Sequence, residues 1–172
     1  AVPVFALATV ALWLLARPGG SSRWKLASVS AIGAAGAALL VNQAIGIFWS
    51  RPRPFAAHAD ALVFGTRGTD ASFPSDHASA AFAIAVAVLL LHRLAGSAFL
   101  AAAVVVVISR VLAGAHYPGD LLAGALVGAA CGVLVVRLGR PLAVRIVSLV
   151  ERVTDPLLRP LWRVSRRDAV PL

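Results

Sequence analysis

The feature that most constrains this chain is a charge-free, largely apolar run from 26 to 49. As a helix, rising 1.5 Å per residue, it would be roughly 36 Å long, enough to cross a hydrocarbon core of about 30 Å. It is not alone. Apolar runs at 1–16, 78–91, 98–108 (extendable to Ala115) and 121–136 give five in all. The first, at about 24 Å, is slightly short. The composition agrees: 60% of the 172 residues are hydrophobic and 13% are charged, with a mean hydropathy of +0.88. That leaves too little polar surface to cover a soluble core. A soluble domain, a disordered tail and a disulfide scaffold are excluded. The expected fold is an all-α integral membrane protein, a bundle of about five transmembrane helices with a C-terminal interfacial helix. Cys131 lies in an apolar run and has no second cysteine to pair with.

The net charge of +9 is explained by topology rather than by nucleic acid, because the charges sit between and after the spans. Arg17, Arg23, Lys25, Arg93, Arg137, Arg140, Arg145, Arg152, Arg159, Arg163, Arg166 and Arg167 fall on one side, 12 of the 16 basic residues. Arg51, Arg53 and Arg67 fall on the other, with Arg110 near that edge. The positive-inside rule places the twelve in the cytoplasm and turns the 50–77 loop and the 116–120 turn outward. The chain begins inside an apolar run and holds no Met, so a preceding segment, a sixth span, is expected. No basic region precedes the first span, as a cleavable signal would require.

Gly124, Gly128 and Gly132 fall four apart on one face of the fifth span, and Gly33 and Gly36 thin the second, a pattern for close helix packing. The chain divides into a transmembrane domain, 1–140, and a basic cytoplasmic-side interfacial segment, 141–172. In the latter, Arg145, Arg152 and Arg159 recur every seven residues, beside Ser148, Glu151 and Asp155. A helix on the membrane surface is expected, broken at Pro156 and Pro160.

Three polar clusters remain, all at the outward ends of spans: Arg51-Pro52-Arg53-Pro54-Phe55, Ser72-Phe73-Pro74-Ser75-Asp76-His77, and Ser109-Arg110 with His116-Tyr117-Pro118-Gly119-Asp120. Ionisable groups at membrane depth are costly, which marks each as a functional candidate. The guanidiniums of Arg53 and Arg110 match phosphate oxygens. Ser75 starts a helix, where free N–H groups and the helix dipole favour an anion. Asp120, four residues after His116 and across a proline that starts a new helix, can orient the imidazole and support its charge. His116 as nucleophile, His77 as acid and an arginine-lined pocket make a phosphoryl-transfer site. No metal-ligand spacing occurs, and no metal or cofactor is expected. Arg110 lies six residues before His116, roughly 9 Å and about 120° away on a straight helix. Both are expected to reach the site, through the arginine stem or a bend near Gly114.

The set Arg53-Pro54, Pro74-Ser75-x-His77 and Ser109-Arg110-x5-His116-x3-Asp120 resembles the three-part signature of the type 2 phosphatidic acid phosphatase superfamily. The strings RPRPFAAH, DASFPSDH and SRVLAGAHYPGD resemble its BcrC-type undecaprenyl-diphosphate phosphatase branch. The resemblance implies metal-free removal of the terminal phosphate from a polyprenyl diphosphate at the outer face of a bacterial cytoplasmic membrane. It implies that His116 becomes a phosphohistidine, that His77 protonates the leaving oxygen, and that Asp120 supports His116. Arg53, Ser75 and Arg110 would hold the phosphate. The expected partners are that lipid and the surrounding bilayer, not nucleic acid; oligomeric state is not readable.

Two departures stand out. The superfamily's lysine, seven residues before Arg53, is Gly46 here, so one phosphate contact is either missing or supplied by Arg51 or Arg67. Its Pro-Ser-Gly-His is Pro-Ser-Asp-His, so Asp76 borders the phosphate pocket and is expected to turn its carboxylate toward the helix-start N–H groups. His58 is a candidate contact for the second phosphate. Asp60 and Asp70 are expected to be loop residues, and His92 interfacial. The alternatives are a phosphatase of phosphatidylglycerol phosphate or phosphatidic acid, and a non-catalytic lipid-phosphate carrier. The carrier leaves the His116–Asp120 pair unexplained, and no inverted repeat is visible.

Overall fold

The computed structural model describes residues 2–16, 22–58, 64 and 70–167, with side chains for 3–160 within those ranges. Arg17, Asp60 and Arg67 lie outside the described residues. Among the described residues seven helices follow in order: α1 (Val2–Leu15), α2 (Ser22–Phe48), α3 (Pro54–Ala57), α4 (Asp76–Leu91), α5 (Arg93–Leu112), α6 (Pro118–Leu138) and α7 (Arg140–Arg167). Among the described residues α2, α5 and α6 are long and apolar enough to cross a membrane, and α1 and α4 are shorter apolar helices. These five match the five apolar runs. Their outward-facing side chains, such as Leu40, Ile47, Leu112 and Leu126, are exposed hydrocarbon. The chain is a helical, multi-pass membrane protein.

The shortest route to its packing is through small residues. Ala27, Ala31, Ala34 and Ala38 make a buried stripe on α2, and α4 answers with Ala78, Ala80, Ala81, Ala83, Ala85 and Ala87. With few side chains to hold them apart, the helices approach closely, and α4 becomes the centre of the bundle, flanked by α2, α5 and α6. The expected glycine face of α6 is there. A Cβ on Gly124 would come within 2.7 Å of the Ser75 carbonyl oxygen, and one on Gly132 within 2.9 Å of that of Ala83. A Cβ on Gly128 would overlap the Ser79 carbonyl. The expectation for α2 is only half met. Gly33 makes ordinary contact with Val135, and Gly36 faces open space, because α2 presents its alanine stripe to α4 instead.

α7 corrects a second expectation. Pro156 and Pro160 do not break it. Both rings lie on its exposed side, where the carbonyls they leave unbonded need no intrahelical partner. The helix is seated by its other face. Ala143 and Val147 pack on Trp13 and Leu26, and the buried Lys25 Nζ lies 3.0 Å from Glu151 and 2.6 Å from Asp155. At that same end His92 stacks on Trp24 with ring centroids 3.6 Å apart.

The opposite end gathers the start of α4, the start of α6, the end of α5 and the segment after α2. There α5 stops in a Schellman turn. Gly114 takes φ 65°, its N–H donates to the Val111 carbonyl, and the Ala115 N–H donates to that of Arg110. This left-handed glycine delivers the turn expected near Gly114 and sends His116 back over the bundle.

Candidate active site

Arg53 and His116 meet first. The Arg53 Nη1 lies 3.2 Å from His116 Nε2, and a guanidinium can only donate, so Nε2 is the acceptor. The proton therefore sits on Nδ1, which donates to the Ser72 carbonyl at 2.9 Å. The ring is buried, in the turn between α5 and α6. Burial is the largest influence on it and lowers its pKa; Arg53 and Arg110 lower it further. The Ser72 carbonyl and Asp120 oppose them, and the result is about 4 against an ordinary 6.5. His116 is thus a neutral imidazole at pH 7 with its lone pair on Nε2.

Asp120 was expected to hold that imidazole, and the structure puts Ser72 between them. The fully buried Asp120 carboxylate accepts from Ser72 Oγ at 2.5 Å, from the Tyr117 N–H at 3.1 Å and from Arg51 Nη1 at 3.1 Å. Pro118 starts α6 at once, which turns Asp120 back on its own helix terminus. Ser72 fills the gap because its N–H is tied to the Arg51 carbonyl at 2.8 Å. Its hydroxyl stands 3.4 Å from His116 Nδ1.

His77, in the first turn of α4, lies within electrostatic range of both Arg53 and Arg110, as does His116. Ser75 precedes α4, its N–H bonded to the Asp120 carbonyl at 3.1 Å. The Ser75 hydroxyl is fully buried without a hydrogen-bond partner, and so is the Nε of Arg110. A buried hydroxyl and a guanidinium Nε without protein partners are donors suited to an anion.

Two expected phosphate contacts, Arg51 and His58, and the bordering Asp76 are placed otherwise. Arg51 is engaged by Asp120 and lies over the Tyr117 ring, its Cζ 3.9 Å from the centroid. Asp76 turns away from the pocket, as expected, but its partner is Asn42 Nδ2 at 2.7 Å rather than the helix N–H groups. Asn42 extends the alanine stripe of α2 and is near enough to take both Asp76 and Ser79 Oγ, the latter at 2.9 Å. His58 ends α3 and is exposed, because Pro54 starts a one-turn helix that carries the chain away from Arg53. Among the described residues, no hydrogen bond joins its ring to the cluster.

Asn42 was not singled out from sequence, Ser72 was named only as part of its polar cluster, and Asp70 only as a loop residue. A lone asparagine inside the apolar second span was a usable signal for Asn42. Ser72 and Asp70 carried none that distinguished them from their neighbours. Among the described residues no three His, Cys, Asp or Glu side chains are grouped to hold a metal ion.

The chain is 31% identical over 162 residues to the undecaprenyl-diphosphatase BcrC of Bacillus subtilis, covering 92% of this chain and 81% of that one. It is 38% identical over 128 residues to YbjG of Escherichia coli, covering 74% and 62%. It is 34% identical over 123 residues to the bacitracin transport permease protein BcrC of Bacillus licheniformis, covering 72% and 59%. No solved structure matches it. The family model of the PAP2 superfamily spans residues 25–142, from the buried Lys25 through every residue of the histidine–arginine cluster, and the chain belongs to that superfamily.

Proposed function

We propose that this membrane phosphatase hydrolyses a polyprenyl diphosphate, of the undecaprenyl class, to the monophosphate and inorganic phosphate. The observation that carries the reading is the neutral His116, its proton held on Nδ1 by Ser72 and its Nε2 facing Arg53. His116 Nε2 attacks the terminal phosphorus while Arg53, Arg110 and the Ser75 hydroxyl hold the phosphate oxygens. The bond to the bridging oxygen breaks, and His77 gives that oxygen a proton, releasing the polyprenyl monophosphate. Water then attacks the phosphohistidine, with His77 taking its proton, and phosphate leaves. Asp120, through Ser72, supports the charge His116 gains in the first step.

The charge distribution supports a bacterial cytoplasmic membrane with the site on the outer side. There the enzyme would regenerate the lipid carrier used in wall synthesis. The first residue of α4, Asp76, bonds Asn42, which stands six residues before the end of α2, so α4 begins below the end of that neighbour. That recess lets the diphosphate sit among the arginines while the tail leaves sideways between helices. On the other side α7 would lie along the surface, its arginines toward lipid headgroups.

The experiment is phosphate release from polyprenyl diphosphate, phosphatidylglycerol phosphate and phosphatidic acid in one detergent, with the parent chain and His116→Ala. The diphosphate is expected to be the best substrate. The variant is expected to lose activity on the order of 10³-fold or more. A variant as active as the parent refutes the mechanism. Binding of the diphosphate without release by the parent favours a carrier.

A further inference from the structure

The guanidinium that this reading assigns to the phosphate is already occupied. Arg53 Nε donates to the Asp70 carbonyl at 3.1 Å, and Nη2 donates to Asp70 Oδ2 at 2.7 Å. Nη1 serves the Ala115 carbonyl at 3.1 Å as well as His116. Four of its five N–H groups are therefore engaged. A carboxylate and a carbonyl from one residue take the side of the fork that a phosphate would take. The two partners differ in freedom. The Arg53 side chain is 9% exposed and that of Asp70 is 67% exposed, so Asp70 is the one that can leave.

The lone pair of His116 is engaged too, by Nη1 of the same arginine. A phosphate that draws Arg53 onto itself displaces Asp70 and uncaps Nε2 in one movement. What can do this depends on charge. A phosphodiester headgroup carries a single negative charge, like the carboxylate it would replace, and gains nothing by the exchange. A terminal phosphate carries up to two charges on three oxygens, and a diphosphate has more charge beside it. Arg110, with its Nε unpartnered, is free to grip the additional oxygens.

Resting on the phosphatase reading, we infer that Asp70 is a specificity-determining residue. Its carboxylate competes for Arg53, so that terminal phosphates enter the site and the phosphodiester headgroups of the surrounding bilayer do not. Such a filter matters for a site opening sideways into lipid, where phosphodiesters far outnumber substrate.

The test uses the full chain in detergent micelles, with polyprenyl diphosphate as substrate and dibutyl phosphate, a soluble phosphodiester monoanion, as the competing probe. For Asp70→Asn the KM for the diphosphate is expected to change less than about twofold, since its extra charge and the Arg110 grip already outcompete an exposed carboxylate. Dibutyl phosphate is expected to inhibit Asp70→Asn competitively, with an inhibition constant at least about threefold below that of the parent. Asp70→Glu, which keeps the charge, is expected to restore parental discrimination. Equal inhibition of parent and Asp70→Asn overturns the inference, and so does a folded Asp70→Asn that has lost turnover. Asp70→Ser is read by the same criteria should the amide disturb the loop. A parent chain that releases no phosphate overturns the phosphatase reading itself, whereas an active parent matched by Asp70→Asn in its inhibition by dibutyl phosphate overturns only the role of Asp70.

Discussion

Protonation of His116 is the perturbation with the most defined consequence. The ring has a pKa of about 4 rather than 6.5, because burial removes the water that would solvate its cation and because Arg53 and Arg110 repel that cation. Charging it costs about 3 kcal/mol more than charging an imidazole in water. The folded value lies below the unfolded one, so between about 4 and 6.5 the unfolded chain binds the proton that the folded chain refuses. Stability contributed by the neutral ring is therefore complete above about pH 6.5 and is lost as the pH falls toward 4. At pH 5.5 a free imidazole is about 90% protonated, while His116 keeps its lone pair. The assay is a carbon-13 histidine titration by NMR in micelles, assigned with His116→Gln. A rate profile would mix this ionisation with that of the substrate phosphate, which titrates near pH 6. Replacing Arg53 by Gln is expected to raise the midpoint but not to 6.5, since burial is the larger cause. A parental midpoint at or above 6.5, or one that Arg53→Gln leaves unmoved, refutes the reasoning.

Two further outcomes concern the Ser72 bridge and the contact of α4 with α6. Ser72→Ala keeps the carbonyl that fixes the tautomer and removes the hydroxyl that bridges to Asp120. Turnover is expected to fall roughly tenfold with KM little changed, since a bond to a buried charge is lost where charge develops. A change in KM alone would contradict the bridging role. Gly128→Ala drives a methyl group into the Ser79 carbonyl and is expected to destabilise the bundle by about 1–3 kcal/mol in detergent unfolding. Gly36→Ala, with nothing within 4 Å of its added Cβ, serves as the control, and equal stability of the two would rule out the close approach of α4 and α6.

What the sequence determined by itself is the set of spans, the end of the bundle where the chemistry gathers, and the residue types gathered there. Each is a local property. An apolar run is read from neighbours along the chain, and a helix of known rise carries its polar ends to a predictable depth. His77, His116, Arg53 and Arg110 were legible because ionisable side chains among apolar spans have few structural reasons to be there.

Tertiary structure decided which of these groups touch. Ser72 reaches His116 across 44 residues, and Lys25 seats α7 across 130. The Asp120–His116 contact was read as direct because spacing fixes how far apart two residues lie along a helix, not which third side chain enters between them. Pro156 and Pro160 were misread for a related reason. Their missing hydrogen bonds disrupt a helix only where the freed carbonyls lack another partner, and the face they occupy is set by Lys25, Glu151 and Asp155 on the opposite side. Hydrogen-bond pairing is won within a few tenths of an ångström, a scale at which only the folded chain, with α4 and α6 in glycine-to-backbone contact, places the competitors.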